Sequence, residues 1–568
     1  QRYPFTIAEN ATVNVTVEDI PQNDPATILL KKQDADTGSA EAQGDASLAG
    51  AQFTLKFYKG HYADADNLAG AAPARTWVVE TDEDGFAMLH EDYFVSGDAL
   101  YYNSAGNIPT LPLGTLTIRE TRAPEGYLLN DALHIRQITA DGSMESVETY
   151  NEPAVPDAVI RGGVEVEKWD ATLNKTAVSQ GDATLAGAVL EIYNRSEGSV
   201  VVDEKVYAPG EVVCTLTTDE EGSAATANDL LPYGEYEVIE KTPPVGYLSA
   251  GIIRRSFQIR ENGAMVSLAT SDTAIKNDII RGNVRIEKWD NETGEHAPQG
   301  GATLEGATFE IVNRSQGSVL VQDVLYAPGE VVYSGITDET GVMTTPETFL
   351  PYGTYEAREV LPPEGYLATG VLSRFFEIRE QGKTVMCNTA ENSIRNDPIR
   401  GDLDGVKIAD GTARRLAGVP FKITSKTTGE SHVVVTDRNG QFSTASEWAP
   451  HSRNTNAGQT AGDGVWFGDP DTLDDEKGAL PYDTYILEEQ PCEANADMEL
   501  LILEVTVYRP NTIIHLGTLT DDRIPQPEIF TTAVERESMG NTAFAAGSIT
   551  ILDTVCITAA SRREQNIR

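Results

Sequence analysis

Two stretches of this chain, 120 residues apart, have nearly the same sequence. RGGVEVEKWD begins at Arg161 and RGNVRIEKWD at Arg281, and the match continues through NRSEGSV and NRSQGSV to PPVGY and PPEGY. Looser copies flank them, with ASLAGAQFTLKFY and RAPEGY before, and RLAGVPFKI and YILEEQPCE after. Repetition at a fixed period indicates repeated domains, so the sequence predicts four modules and not one large core.

Recurring joints between the copies set the predicted boundaries. The joint Asn277-Asp-Ile-Ile-Arg-Gly returns as Asn396-Asp-Pro-Ile-Arg-Gly, just before a new copy begins. The predicted modules are residues 27–156, 157–280, 281–400 and 401–524. Residues 1–26 resemble the end of a preceding β domain and residues 525–568 the truncated start of a further one, so we expect a piece of a longer protein.

Runs of Val, Thr and Ile alternate with polar residues and are separated by turn signals such as TDEDG, TDEEG and TDETG. A period of two is the pattern of half-buried strands, and no sustained helical period is visible. Short strands at regular spacing predict β-sandwiches, with the TDxxG segments as hairpin turns. The predicted fold class is all-β, with tandem immunoglobulin-like sandwich modules in an elongated array.

The charge of the chain excludes two classes of partner. Lys and Arg number 43 against 88 Asp and Glu, which gives a net charge of −45. Phosphate backbones and anionic lipid would be repelled, so neither nucleic acid nor a membrane surface is expected to bind. No stretch approaches the roughly 20 apolar residues that span a bilayer.

The four cysteines, Cys214, Cys387, Cys492 and Cys556, fall in four different predicted domains, so no module can close its own disulfide. Exported sandwich domains commonly use such bridges. Either the modules are stable without a bridge, or another covalent device replaces it.

Strand alternation places a lysine, a glutamate and an amide or acid on the inward face of each module. Residues i, i+2 and i+4 of a strand share a face, so Lys168 points the same way as Val164 and Val166. The corresponding glutamate ends the inward set Tyr236, Val238, Glu240. The other inward residues are Lys32 and Lys288 on the first strands, Glu120, Glu359 and Glu489 at the corresponding glutamate position, and Asn277, Asn396 and Asp521 on the last strands, with Asn151 in the equivalent place in module one.

Buried lysine and glutamate are rare because burial of charge costs several kcal/mol without compensation. One interpretation is a buried ion pair with an amide as hydrogen-bond partner. The other is condensation of the lysine amine with the Asn or Asp side chain. Burial lowers a lysine pKa and raises a glutamate pKa, so a proton passed between them leaves a neutral nucleophile beside a general acid. The product would be an isopeptide bond.

LTIRETRAPEGY resembles the E-box, YxLxETxAPxGY, of Cna protein B-type (SpaA-type, prealbumin-like) domains of Gram-positive surface proteins and pili. The other copies are YEVIEKTPPVGY, YEAREVLPPEGY and the degenerate YILEEQPCE. The resemblance implies an immunoglobulin-like or prealbumin-like sandwich with a Lys–Asn or Lys–Asp isopeptide bond. Carried over by position, it implies the sets Lys32/Glu120/Asn151, Lys168/Glu240/Asn277, Lys288/Glu359/Asn396 and Lys407/Glu489/Asp521, with Asp522 as an alternative in the fourth. It also implies that the E-box glutamates, Glu120, Glu240, Glu359 and Glu489, are the catalytic residues.

The last segment, IFTTAVE followed by ITILDTV, is similar to domains in which a Thr on the first strand forms an ester with a Gln on the last. Thr531 or Thr532 would be the donor. The chain ends before any last strand, so the bond itself cannot be followed in the sequence.

Other motifs favour structural interpretations. Arg400-Gly-Asp402 occupies a joint that reads Arg-Gly-Gly and Arg-Gly-Asn in the sister modules, which favours a linker over an adhesion motif. The TDxxG turns lack the later glutamate of a calcium loop. The seven histidines show no metal-ligand spacing, so we expect no metal, no cofactor and no enzyme chemistry beyond a single intramolecular turnover.

The favoured function is an extracellular stalk or adhesin segment of a cell-wall-anchored surface protein, joined to peptidoglycan through an anchor outside this chain. A second interpretation is a host-binding adhesin. Its extracellular-matrix protein or glycan would bind the long insertion of module four, from Trp448 to Lys477, which also contains His451, Trp466 and Phe467. A third is a pilin shaft subunit, although no sorting signal or pilin-type lysine motif is visible.

Overall fold

The computed structural model describes residues 24–25, 29–102, 106, 109–138, 154–409, 412–453, 464–522, 528–535 and 551–558. These residues form strands and three single-turn 3-10 helices, Glu91–Tyr93, Pro470–Thr472 and Glu493–Asn495. The chain divides into two units, Gln1–Ile280 and Arg281–Arg568, and each holds two of the repeated modules. The prediction of an all-β fold is confirmed.

The strands are numbered in chain order. Module one contains β1 (Asp24–Pro25), β2 (Leu29–Asp34), β3 (Gln52–Tyr58), β4 (Arg75–Glu80), β5 (Phe86–Met88), β6 (Phe94–Gly97), β7 (Tyr101–Tyr102), β8 (Pro109–Leu111), β9 (Gly114–Arg122), β10 (Leu133–Ile138) and β11 (Ala154–Asp157). Module two contains β12 (Arg161–Asp170), β13 (Val189–Asn194), β14 (Val200–Val202), β15 (Lys205–Tyr207), β16 (Val212–Thr217), β17 (Ser223–Ala225), β18 (Leu231–Pro232), β19 (Gly234–Thr242), β20 (Tyr247–Ile252), β21 (Arg254–Ile259), β22 (Met265–Leu268) and β23 (Ile275–Ile279).

Module three contains β24 (Arg281–Asp290), β25 (Thr308–Asn313), β26 (Val319–Val321), β27 (Val324–Tyr326), β28 (Val331–Ile336), β29 (Val342–Thr344), β30 (Leu350–Pro351), β31 (Gly353–Leu361), β32 (Tyr366–Val371), β33 (Ser373–Ile378), β34 (Thr384–Cys387) and β35 (Ile394–Pro398). Module four contains β36 (Arg400–Ile408), β37 (Pro420–Ser425), β38 (Ser431–Val435), β39 (Gln441–Ser443), β40 (Leu480–Pro481), β41 (Asp483–Glu489), β42 (Ile502–Val507) and β43 (Ile513–Thr520). The last segment contributes β44 (Glu528–Glu535) and β45 (Ile551–Thr558).

Modules two and three have the same topology. In module two one sheet has the order β17-β12-β23-β20, with β18 and β22 also paired to β12, and the facing sheet has the order β16-β13-β19-β21. In β12, alternate side chains point into the core between the sheets, where Val164 and Val166 are completely buried. The first strand therefore lies beside the last one, β23, and the pair runs parallel.

Modules one and four keep this plan with fewer pairings. In module one β2 lies between β11 and β5, facing the sheet β10-β9-β3-β4-β6. In module four β36 pairs with β43, facing the sheet β38-β37-β41-β42. In every module the first and last strands of the sandwich are parallel neighbours in one sheet, and the E-box strand is in the other.

The structure moves the first predicted boundary. β11 pairs with β2 in the register Asp157 opposite Asp34, so Asp157 belongs to module one and not to module two. Module two begins with β12 at Arg161, and module four begins with β36 at Arg400, one residue earlier than expected. With these corrections, modules two, three and four all begin with a strand that starts at the arginine of the joint: Arg161, Arg281 and Arg400.

The interpretation of the TDxxG segments as hairpin turns is wrong. In module two the turn is tight, with Gly222 at φ +81° and its N–H donating to the carbonyl of Asp219. Positive φ suits glycine, which explains the residue at that position. The strands on either side, β16 and β17, belong to different sheets, so the turn is a corner between the two layers of the sandwich.

Arg400-Gly-Asp402 forms the start of β36 and is not an exposed linker. Arg400 is only 2% exposed and Asp402 8%. The Arg400 guanidinium donates to Glu292 of module three and to the carbonyl of Phe467 of module four, and it stacks on the Trp466 ring at 3.7 Å. An integrin-type contact would need the Arg400 and Asp402 side chains at the surface, but both are buried and Arg400 is already hydrogen-bonded within the protein.

The described parts of the module-four insertion pack against the sandwich. His451, Trp466 and Phe467 are buried, whereas Trp448 remains 44% exposed. Residues 454–463 of the insertion lie outside the described residues. Of the four side chains that suggested a ligand site, only Trp448 is exposed. The other three pack inside module four, where Trp466 and Phe467 contact Arg400 beside module three.

Candidate cross-link sites

Four lysines are completely buried on the first strands of the four modules: Lys32, Lys168, Lys288 and Lys407. In modules two and three the parallel ladder sets Lys168 opposite Ile275 and Lys288 opposite Ile394, two residues before Asn277 and Asn396. Each lysine and its asparagine therefore project from neighbouring strands of one sheet into the same part of the core. The inward orientation predicted from strand alternation is the one that the structure has.

The E-box strand of the facing sheet brings a glutamate to each pair. In module two, Asn277 Nδ2 donates to Glu240 Oε2 at 2.6 Å, and Lys168 Nζ lies 3.3 Å from Glu240 Oε1. In module three, Asn396 Nδ2 donates to Glu359 Oε2 at 2.6 Å, and Lys288 Nζ lies 3.6 Å from Glu359 Oε1. One carboxylate thus contacts both the amine and the amide nitrogen.

In module one the third polar group that the structure places beside Lys32 is Asp157, whereas the sequence predicts Asn151 for this role. Lys32 Nζ lies 2.8 Å from Glu120 Oε1 and also contacts Asp157 Oδ1. Asn151 lies outside the described residues. Asp157 is four residues before Arg161, as Asn277 is four residues before Arg281, so the spacing to the joint arginine was the signal that sequence reasoning missed.

Module four brings together Lys407, Glu489 and Asp521. Lys407 Nζ lies 3.0 Å from Glu489 Oε2 and contacts Asp521 Oδ1. Asp521 is completely buried and Asp522 is exposed, so the geometry favours the first of the two candidates. A residue missed in the sequence, Asn495, donates from Nδ2 to Glu489 Oε1 at 2.9 Å.

Among the described residues, several reactive atoms of these sites are buried without a hydrogen bond. They include the side-chain amide oxygens of Asn277 and Asn396, whereas Lys168 Nζ has Glu240 Oε1 as an ionic partner at 3.3 Å. A buried polar atom without a partner costs about 1–3 kcal/mol. Satisfaction of hydrogen bonds therefore does not account for these groups in the core, and the simple ion-pair interpretation leaves them unexplained.

Burial shifts the titration of the lysines towards the neutral amine. Desolvation lowers the pKa of Lys168 to about 8 and the pKa of Lys288 to about 8, although the nearby glutamates act in the opposite direction. Desolvation also lowers the pKa of Lys407 and raises that of Glu359. Burial raises the pKa of Asp157 to about 7, so its carboxyl is partly neutral near neutral pH.

The family model for the SpaA prealbumin-like fold domain matches residues 26–153, 170–274 and 282–392, more than half of the chain. The chain therefore belongs to the SpaA prealbumin-like domain family, with at least three such domains in tandem. Module four repeats the sandwich topology outside the matched ranges.

Solved structures that are similar to the chain include the Bacillus anthracis TIE protein, at 17% identity and a TM-score of 0.40, over 84% of this chain and 69% of that one. A streptococcal ancillary pilin matches at 17% identity and a TM-score of 0.21, over 66% and 98%. The major pilin SpaD of Corynebacterium diphtheriae matches at 13% identity and a TM-score of 0.21, over 67% and 99%. Superpositions this loose add nothing to the family assignment. No curated protein sequence matches the chain.

Within the part of the chain that the structure describes, no helix is long and apolar enough to cross a membrane.

Proposed function

We propose that the chain is a surface stalk segment whose modules are locked by autocatalytic isopeptide bonds between their first and last strands. The observation that carries this proposal is the repeated site itself. In four modules a completely buried lysine forms an ion pair with a glutamate from the facing sheet, and an Asn or Asp from the neighbouring parallel strand projects into the same site. Structural packing alone gives no reason to bury the same three polar groups four times.

The reaction begins with a proton transfer inside the site. The buried Lys168 ammonium gives a proton to Glu240, which leaves a neutral amine and a neutral acid in the core. Nζ attacks Cγ of Asn277, and the carbonyl electron pair moves to the oxygen. Glu240 then gives its proton to Nδ2, to which it is already hydrogen-bonded, and receives the proton that Nζ loses. The C–N bond to Nδ2 breaks, ammonia leaves, and the carbonyl of the new amide re-forms.

Modules one and four lose water instead of ammonia, because their acceptors are Asp157 and Asp521. A carboxylate anion is a poor acceptor for an amine, so the acid must be neutral when it reacts. Burial, which raises the pKa of Asp157 to about 7, supplies that form at neutral pH. The hydroxyl of the neutral carboxyl takes one more proton from the glutamic acid and departs as water.

No external energy source is required, since the folded module holds the reacting groups together. Effective molarities of oriented intramolecular reactions reach about 10⁵–10⁸ M, enough for an unactivated amide to react. The resulting bond joins the first and last strands of one sheet. Force applied at the two ends of a module then passes through covalent bonds and bypasses the sandwich.

A surface location fits the relatives. Several of the similar solved structures are described as pilins. Modules that resist extension are suited to the shaft or stalk of a surface protein. We infer an extracellular position, with attachment to the cell wall. The adhesin interpretation has less support, because most of the aromatic residues of the insertion are buried.

The direct test is peptide mapping of the purified chain by mass spectrometry after proteolysis. The proposal expects branched peptides that join Lys168 to Asn277 and Lys288 to Asn396, each lighter by one ammonia. Linear, unmodified peptides from all four modules would refute it.

A further inference from the structure

A second buried group recurs beside the cross-link sites of modules one to three. Two residues after each lysine is an aspartate with no exposed surface: Asp34, Asp170 and Asp290. Each accepts a hydrogen bond from the tyrosine that ends the E-box and from a glutamine. Asp34 accepts from Tyr127 Oη at 2.8 Å and from Gln43 Nε2 at 2.9 Å. Asp170 accepts from Tyr247 Oη at 3.0 Å and from Gln180 Nε2 at 2.9 Å. Asp290 accepts from Tyr366 Oη at 2.8 Å and from Gln299 Nε2 at 3.1 Å. We call each set an aspartate node.

The node fixes the turn that follows the lysine strand. Oδ1 of Asp170 accepts the backbone N–H groups of Thr172 and Leu173, both at 2.9 Å. This closes an Asx turn, in which a side chain imitates a backbone hydrogen bond. The Asp34 and Asp290 carboxylates accept the two corresponding N–H groups of their own modules. Burial raises the pKa of Tyr247, which keeps its hydroxyl a donor to this carboxylate.

The same turn holds the residue that the lysine would attack. The N–H of Ala171, inside the turn, donates to the backbone carbonyl of Asn277 at 2.9 Å. Ala35 does the same to Asp157, and Asn291 to Asn396, each at 2.9 Å. The parallel ladder sets each node aspartate directly opposite its acceptor residue. The node therefore ties the E-box, the lysine strand and the acceptor strand together at one point.

We propose that the three aspartate nodes are positioning devices for isopeptide formation, which hold the acceptor strand in register with the lysine. This inference rests on the proposed function. The link from the node to the acceptor runs through the backbone, from the Ala171 N–H to the Asn277 carbonyl, while the negative charge of Asp170 also raises the pKa of Lys168 against the lowering by burial. Misplacement of reacting groups by about 1 Å can cost roughly 100-fold in rate, which makes such a device valuable.

Module four provides an internal comparison. Ile408 pairs with Thr520, so Asp521 falls opposite Ala409 where the other modules have an aspartate. The E-box copy YILEEQPCE ends without the tyrosine. The nearest aspartate in the sequence, Asp410, lies one residue later and outside the described residues. We therefore expect the bond of module four to form more slowly than those of modules one to three.

The test uses the full chain and the variant Tyr247→Phe, which removes one hydroxyl and no charge. Freshly synthesised protein is sampled over time, and the branched peptide of each module is quantified by mass spectrometry. Bond formation in module two should slow by roughly 10- to 100-fold, while modules one and three keep their rates as controls in the same molecule. Asp170→Asn serves as a second variant and should slow module two at least as much.

Two readouts separate positioning from a loss of folding. Hydrogen exchange at the first time points reports the folded fraction of module two, and the rate is expressed per folded molecule. The pH–rate profile of Tyr247→Phe should keep its midpoint and lose height, because no titrating group has changed. A wild-type rate per folded molecule in both variants would overturn the role of the node. Absence of branched peptides from modules one and three as well would instead overturn the proposed function.

Discussion

Glu240→Gln is the substitution that separates a covalent lock from a buried ion pair. The amide has nearly the volume of the carboxylate, and its oxygen can still accept from Asn277 Nδ2, but it cannot shuttle the proton that the reaction needs. Module two should therefore fold with Lys168 and Asn277 unjoined. Glu221→Gln is the matched control, since this residue is exposed in the corner turn of the same module.

The size of the effect follows from where the bond closes the chain. Lys168 and Asn277 are 109 positions apart (277 − 168), so nearly all of module two lies inside the loop. By analogy with disulfides, closure of a loop of about 100 residues stabilises by roughly 4.7 kcal/mol in the chain-entropy model. Loss of the bond should lower the free energy of unfolding of module two by an amount of that order.

Single-molecule pulling gives the clearest readout. In the wild-type chain, module two should add no length under force, because the load passes from β12 to β23 through the cross-link. In Glu240→Gln the 109 enclosed residues become extensible, which releases roughly 360–390 Å at 3.3–3.6 Å per residue, less the folded end-to-end distance. If Glu240→Gln stays inextensible and still lacks one ammonia, Glu240 is not the proton carrier and the reasoning fails.

Three further predictions concern pH, the acceptor of module one and the module-four junction. In Asn277→Ala the unjoined Lys168 has a folded pKa of about 8 against 10.5 unfolded, so stability measured by urea unfolding should be flat below about pH 8. It should then rise by about 3 kcal/mol towards pH 10.5, because only the unfolded state holds the proton in that window, and a fall would contradict the burial argument. Asp157→Asn should convert the loss of water in module one into a loss of ammonia, whereas Asn151→Ala should leave the mapped peptides joined as before. Arg400→Ala should destabilise the pair of modules three and four by about 1.5–3 kcal/mol in calorimetry, since buried Glu292 loses the guanidinium and keeps only Lys477 as an ionic partner, and a shift below 1 kcal/mol would show that the junction does not depend on Arg400.

Much of the site could be predicted because strand alternation is a local property. The inward position of Lys168 follows from its spacing to Val164 and Val166, and the structure places it there. The prediction of Asn151 takes it as the module-one equivalent of Asn277 and Asn396. The spacing of Asp157 to Arg161 carried the better information, since the joint arginine fixes the register of the last strand.

Strand alternation does not predict which residues far apart in the sequence come into contact. Asp170 and Tyr247 are far apart in sequence, and nothing in a single chain says that their side chains meet. The difference between the predicted hairpin turns and the observed corner turns has a related cause. Asp219 and Gly222 predict a tight turn correctly, but local turn chemistry does not say whether the next strand pairs with the last one or crosses to the facing sheet.

The central claim is tested most directly by the intact mass of the full chain, assigned module by module through its branched peptides. The account predicts a chain lighter than its sequence by two ammonia and two water molecules, from Asn277, Asn396, Asp157 and Asp521 respectively. Three ammonia molecules and one water would show that module one uses an asparagine such as Asn151 after all. An unshifted mass would contradict the covalent account and return the four sites to buried ion pairs.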